Sequence, residues 1–314
     1  MGSRKPLVHN RIRTAVVLGG TGWVGRFVCA ELAQRGARVV AVARGHTEGL
    51  RCDRFVSLDL SRASAATTAT LLHEESADVV VNATDAANAT DGWDRTETEL
   101  QRANVALVEQ VLRAVRTQPR PVRLVHLGTM HEYTPVDFGV AVDESAACVP
   151  ESAYARTKLA GSQAVLDAAS AGAVDAIVLR SVNVSGPQPS RASLPGKLVT
   201  LLTSGQVRLP IADAHRDWLD VRDLARAVVA AAQRPGVCGV VNIGSGRAVA
   251  MREFVETFVR EAGFPQSVIE DLPTEVRGYG GSWLQADVGR AVDLLDWQPR
   301  WSLQESLRDM WTSR

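Results

Sequence analysis

Tyr154 and Lys158 stand four residues apart in Tyr154-Ala155-Arg156-Thr157-Lys158, in a chain with only three tyrosines and three lysines. On a helix this spacing brings both side chains out on one face. A phenol ordinarily titrates near pH ~10, so a tyrosine that exchanges protons near neutrality needs a cation beside it. Lys158 supplies that charge. Earlier in the chain, Thr129 in Gly128-Thr129-Met130-His131-Glu132-Tyr133 follows an apolar run and could hydrogen-bond the substrate oxygen whose proton Tyr154 handles. The other roles open to these residues are a turn cap for Thr129 and an amphipathic helix surface for Tyr154 and Lys158.

A second group has the chemistry of phosphate binding. Leu18-Gly19-Gly20-Thr21-Gly22-Trp23-Val24-Gly25 puts glycines at 19, 22 and 25, where a strand is expected to give way to a helix. Gly19 suits a tight turn, Gly22 admits a pyrophosphate close to the backbone, and Gly25 lets the helix pack on the strand. The amides of the helix start, with Thr21, Trp23 and Val24 in the loop, then face the phosphates. A simple turn is the alternative use of such glycines. At the end of the next strand, where a site that prefers NAD places an acidic residue on the ribose 2′-hydroxyl, this chain has Arg44. Arginine has no acceptor for that hydroxyl and its fork suits a 2′-phosphate, so NADP(H) is expected over NAD. Asp59, with Leu60 beside it, is a candidate for the adenine edge or else a helix cap. Lys158 could also hydrogen-bond the nicotinamide ribose, and an oxidised, cationic nicotinamide would lower the tyrosine pKa further.

These groups need a frame that gathers strand ends. Apolar runs at Thr14 to Leu18, Arg38 to Ala43, Phe55 to Leu58, Val79 to Ala83, Val122 to Leu127 and Asp175 to Leu179 alternate with helical spacing near 24–34, 61–75, 96–116 and 154–170. Strands apolar on both faces, alternating with helices, predict a Rossmann doubly wound parallel sheet of the α/β class. Past Arg180 the Pro-, Ser- and Gly-rich stretch at 185–197 predicts a break in regular structure and a transition between units. A helix near 222–233 and the run Gly239 to Ile243 look like a return to the sheet, followed by helices near 251–262, 287–295 and 303–311. The expected division is therefore 11–182 plus 216–246 for the dinucleotide and 183–215 plus 247–314 for a smaller, interleaved substrate unit.

Other chemistries find little support. The 35 basic and 35 acidic residues cancel, which argues against a nucleic-acid partner. No apolar run approaches the ~18 residues of a membrane span, and MGSRKPLVHN has no signal-peptide core, so no membrane association and a cytoplasmic location are expected. Pro6 occupies the place where myristoylation at Gly2 wants Ser or Thr. Cys29, Cys52, Cys148 and Cys238 have no CxxC spacing, and histidines 9, 46, 73, 126, 131 and 215 contain no HExxH, so no metal is expected. The triplets headed by Asn82, Asn88 and Asn183 are read as chance sequons, and Ser245 lacks the flanking glycines of a hydrolase elbow.

The residues resemble those of the extended short-chain dehydrogenase/reductase family, in its nucleotide-sugar epimerase, dehydratase and ketoreductase branch, from about residue 14 to 311. GGTGWVG is similar to its cofactor loop, Asn82-Ala83 to its fourth-strand segment, Asn104-Val105 to its NV helix motif and YARTK to its YxxxK, which implies Asn82, Ala83 and Asn104 at the cofactor. Leu179 to Pro187 resembles LRxxNVYGP and Arg216 to Asp223 resembles RDFxxVxD, which implies Asn183 and Arg216 as contacts of a sugar diphosphate. The resemblance places Met130 and His131 beside the sugar, and implies a homodimer built on the helices near 96–116 and 154–170.

The departures narrow the reading. Sugar 4,6-dehydratases have Thr-Asp-Glu where this chain has Thr129-Met130-His131, and Met130 neither gives nor takes a proton. Epimerases of the 4-position hold NAD and keep an acidic residue on its ribose, where Arg44 stands here. The family's VYG becomes Glu132-Tyr133-Thr134. The expectation is an NADPH-dependent reductase of the C4 ketone of a nucleotide-linked, dTDP-type, keto-deoxyhexose. Its rivals are a 4-epimerase with tightly bound NAD and a non-catalytic NADP-sensing protein on the same fold.

Overall fold

The computed structural model describes residues 10–84, 95–273 and 281–314; Gly2, Pro6, His9 and the Asn88 triplet lie outside the described residues. Elements are numbered along the chain. The main sheet consists of β1 (Thr14–Leu18), β2 (Arg38–Ala43), β3 (Arg54–Ser57), β4 (Val79–Asn82), β5 (Arg123–Thr129), β6 (Asp175–Ser181) and β10 (Gly239–Ile243), in the order β3-β2-β1-β4-β5-β6-β10. Every pairing in it is parallel. β1, β4 and β5 are buried along their whole length, which is why their sequences are apolar without alternation.

Helices α1 (Trp23–Gln34) and α7 (Val221–Ala232) share one core with one face of the sheet, through Val28, Leu32, Leu224 and Val228. On the other face lie α2 (Ala65–Glu74), α4 (Leu107–Arg116) and α5 (Ala153–Ser170), through Leu71, Val111 and Val165. Each such aliphatic side chain contributes on the order of 2 kcal/mol by leaving water. The strand order reverses between β1 and β4, so the C-terminal ends of these two strands border the crevice where ligands bind in open sheets of this kind.

The helix expected at 96–116 is interrupted. α3 (Glu97–Gln101) runs into a π-helical turn, Arg102–Ala106, before α4 begins. A smaller unit consists of β7 (Asn183–Ser185), α6 (Leu194–Thr203), β8 (Val207–Leu209), β9 (His215–Asp220), β11 (Ala248–Ala250), α8 (Met251–Glu261), β12 (Ile269–Asp271), β13 (Trp283–Leu284) and α10 (Leu303–Thr312), while α9 (Gly289–Leu295) packs on the main core through Ala291 and Leu295. Phe254, Phe258, Leu307 and Trp218 form the core of the smaller unit, with Trp218 stacked on Phe254 at 3.9 Å.

Two expectations need correction. The stretch 185–197 is not wholly irregular, because α6 starts inside it, with Ser193 Oγ accepting from the Gly196 amide and Pro195 in the first turn, where its missing N–H is harmless. β9 does not join the main sheet. It pairs with β7 and β13 in parallel and with β11 antiparallel, so residues 215–220 belong to the smaller sheet although Leu219 reaches the main core.

Candidate active site

Ser152 caps α5 by accepting from the Ala155 amide at 3.1 Å, which fixes the first turn just where Tyr154 sits. Tyr154 is buried with its ring against Leu100 of α3 and Ala103 of the π-helical turn. Lys158, also buried, donates from Nζ to the Leu127 carbonyl at 2.7 Å. An ammonium has three donors, so this anchor leaves two for other work. Thr157 Oγ1 donates to the Tyr154 carbonyl at 2.9 Å and accepts from Asn104 Nδ2 at 3.0 Å. Asn104, expected at the cofactor, therefore holds the catalytic helix to the π-helical turn, while its buried Oδ1 has no partner.

Tyr133 is no competitor for the proton-transfer role. Its hydroxyl donates to Asn242 Oδ1 at 2.9 Å, and burial pushes its phenol up to about 12 despite the Arg180 guanidinium over the ring.

Thr129 ends β5 and caps the following turn: its Oγ1 accepts from the His131 amide at 3.3 Å. The turn-cap role is thus real, and it leaves the hydroxyl proton available for donation. Met130, expected beside the sugar, has no exposed surface and packs into the main core. His131 stands near Asn183 and Arg216. Burial first, and then the charge of Arg216, push its imidazole down to about 4 against a hydrogen bond with Asn183, so it is neutral at physiological pH. Its Nδ1 is buried without a partner. Arg216 is lowered to about 10 by burial and keeps its charge; Nη1 and Nη2 donate to the carbonyls of His215 and Gly281 at 2.8 and 2.7 Å.

The glycine loop has the form phosphate binding requires. Gly19 has φ +79°, and a Cβ there would lie 2.8 Å from the Ala83 carbonyl oxygen; a Cβ on Gly25 would collide with the Gly19 carbonyl. Gly22 caps α1 without a side chain, whereas α2, α6, α7 and α10 are closed by Ser64, Ser193, Asp220 and Ser302. The first amides of α1 are therefore served by no capping side chain, at the crevice of the sheet. Val24 packs on the main core, and the Trp23 indole donates to the Pro187 carbonyl at 3.0 Å.

At the far end of β2, Arg44 is exposed, and Asp59 is held below the usual carboxylate range by hydrogen bonds from Ser61 and by the charges of Arg44 and Arg62. The Leu60 side chain, expected at the adenine edge, belongs to the core. The Asn82 side chain is likewise occupied within the fold. Its Oδ1 accepts from the Thr84 amide and hydroxyl at 3.2 and 2.5 Å, which leaves Nδ2 to meet His126 Nδ1 at 3.1 Å.

Residues 15–244 match the NAD dependent epimerase/dehydratase family. The chain belongs to that family. As a member it is an NAD(P)-dependent oxidoreductase. It is 36% identical over 98% of its length to dTDP-6-deoxy-L-talose 4-dehydrogenase (NAD(P)(+)) of Kitasatospora kifunensis, 97% of which is covered. A probable dTDP-4,6-dihydroxy-2-methyloxan-3-one 4-ketoreductase of Streptomyces antibioticus is 30% identical over 72% of the chain and 70% of its own. Among solved structures, MoeE5 in complex with UDP-glucose and NAD superposes with a TM-score of 0.82 at 26% identity, over 95% of this chain and 98% of that one.

Two buried carboxylates tie the site's elements together, Asp217 within the RDFxxVxD-like segment and Glu132 where the family has valine. Asp217, fully buried, accepts from the Ser245 amide and hydroxyl, the Gly246 amide and the Ala286 amide, which joins β9 to the loop after β10. Ser245 is thereby tied down and is no nucleophile. Glu132 and Arg180 form a buried ion pair at 2.7 Å directly behind Thr129. The signal for this pair was a carboxylate in place of the family's valine, next to a glycine at 128. Among the described residues no group of His, Cys, Asp and Glu could hold a metal, the four cysteines are free thiols, and no helix is long and apolar enough to cross a membrane.

Proposed function

We propose that this protein reduces the C4 ketone of a nucleotide-linked, dTDP-type, 4-keto-6-deoxyhexose with NADPH. The observation that carries the reading is the turn after β5. It has a threonine hydroxyl and a neutral imidazole, with a methionine turned into the core and the carboxylate of the same turn, Glu132, engaged by Arg180. Elimination of water from the sugar would want an acid and a base there, whereas carbonyl reduction needs only a proton donor and a hydrogen bond to the oxygen. The names of the two dTDP-sugar relatives favour the same carbon and the same nucleotide.

The glycine loop and the uncapped start of α1 would hold the pyrophosphate, Arg44 the 2′-phosphate, and Asp59 the adenine edge. When bound, NADPH supplies the hydride that becomes the new C–H bond. Thr129 donates a hydrogen bond to the ketone oxygen and orients it. Tyr154 delivers the proton that completes the hydroxyl, and Lys158 stabilises the phenolate left behind. Asn183 and Arg216 would bind the diphosphate, with His131 beside them. The same reading makes the chain a homodimer through α3–α4 and α5, which light scattering on the purified protein tests.

The test is to follow NADPH absorbance while offering dTDP-, GDP- and UDP-linked 4-keto-6-deoxyhexoses. Oxidation with the dTDP sugar is expected, and Tyr154→Phe should lower kcat by about 10²- to 10⁴-fold with cofactor affinity unchanged. A protein that oxidises NADPH with none of them, or that retains NAD through dialysis and interconverts sugars without net cofactor use, overturns the proposal in favour of an epimerase.

A further inference from the structure

Glu132 has no exposed surface and is hydrogen-bonded to β5, α5 and β6, the first two of which carry Thr129, Tyr154 and Lys158. Its Oε1 accepts from the Thr129 amide at 3.0 Å and from Ser162 Oγ at 2.9 Å, and its Oε2 accepts from Arg180 Nε at 2.7 Å. Ser162 lies on α5 four residues beyond Lys158, and Arg180 lies on β6, which leads into Asn183. The Arg180 guanidinium stacks 4.4 Å from the centre of the Tyr133 ring. A carboxylate without water is costly unless its lone pairs are filled and its charge matched, and here three donors, one of them a cation, do both.

Gly128 makes room for this arrangement. A Cβ at 128 would lie 2.7 Å from Glu132 Oε1 and 3.1 Å from Ser162 Oγ. Because the carboxylate is pinned on three sides, it has nowhere to retreat. Gly128, Glu132, Ser162 and Arg180 therefore form one unit, joined to Thr129 through its backbone N–H.

We propose that Glu132 is a positioning residue: by holding the Thr129 N–H and locking it to α5 and β6, it sets the direction of the Thr129 hydroxyl relative to Tyr154. It touches neither substrate nor cofactor. The inference rests on the role given to Thr129 in the proposed reaction. A displacement of about 1 Å in an orienting group costs roughly 10²-fold in rate.

The experiment is a double-variant cycle of Glu132→Gln and Thr129→Ala, read as kcat per folded enzyme on the sugar the wild type turns over. Glu132→Gln should lower kcat about 10- to 100-fold with KM for the sugar and Kd for NADPH within about twofold, and should have no further effect in the Thr129→Ala background. Ser162→Ala removes one anchor while sparing the ion pair; it should lower kcat about threefold or more, again only when Thr129 is present. If Glu132→Gln does not fold, the Ser162→Ala and Thr129→Ala cycle decides alone. Effects that multiply with Thr129→Ala, or a wild-type kcat in the single variants, overturn the positioning role while leaving the reductase reading intact. A wild type inert toward every keto sugar overturns the reductase reading and this inference with it.

Discussion

Lys158 is anchored by a backbone carbonyl rather than by a carboxylate, so its positive charge is not cancelled within the site and acts on whatever proton donor lies beside it. A carboxylate partner would have neutralised the very field that a tyrosine needs. Arg44 illustrates a second residue-level choice: it is exposed, and the proposed reading assigns it to a 2′-phosphate. Arg44→Ala should therefore weaken NADPH binding at least about tenfold and leave NADH binding unchanged, measured by fluorescence titration. His131 yields a prediction about pH. Its folded pKa of about 4 lies below the ordinary value of 6.5, so between those values the unfolded chain takes up more protons than the folded one. Stability from this group is complete above pH ~6.5 and is lost as the pH falls toward ~4. His126, lowered by burial and then by Lys158, has the same sign. In urea titrations the unfolding free energy should fall over that window by up to about 2 kcal/mol more in the wild type than in His131→Asn. At this scale the sequence made legible the tight turn at Gly19 and Gly25 and the placing of Tyr154 and Lys158 on one helix. It was not legible for Met130, Leu60 and Asn82, whose motifs place them at the cleft while packing turns their side chains into the fold.

At the scale of elements, the start of α5 matters most, because Tyr154 is its second residue and a frayed first turn would release it. Ser152→Ala removes the cap and should lower stability by about 1 kcal/mol in a denaturant titration, with a fall in kcat larger than the fall in Lys158-dependent cofactor affinity. The parallel strands were readable from their unbroken apolar runs; Thr14–Leu18 and Gly239–Ile243 have the bounds their composition implies. β7, β8, β11 and β13 have only two or three residues each and leave no periodicity to detect. β9 was misplaced for a different reason. Its six residues, HRDWLD, are half charged yet almost wholly buried, so composition does not mark a strand, and only its pairing with β7, β11 and β13 assigns it to the smaller sheet. The π-helical turn at Arg102–Ala106 also escapes a helical reading, since it keeps helical composition while shifting Asn104 toward α5.

For the whole molecule, the two units meet at the glycine loop itself. The Trp23 indole donates to the Pro187 carbonyl at 3.0 Å, and Arg26, one turn along α1, donates to the Gln188 carbonyl. Pro187 and Gln188 follow β7, whose first residue is Asn183. Trp23→Phe, which keeps the ring and removes the N–H, should leave the fold intact and weaken both ligands together, by about two- to tenfold each in calorimetric titrations of NADPH and of a nucleotide diphosphate. Such a joint dictates reciprocity. Whatever factor the nucleotide sugar adds to the grip on the dinucleotide, the dinucleotide must return to the nucleotide sugar. An enzyme of this construction would favour whichever order of arrival cellular concentrations impose, and would release its spent dinucleotide more readily once the product sugar has gone.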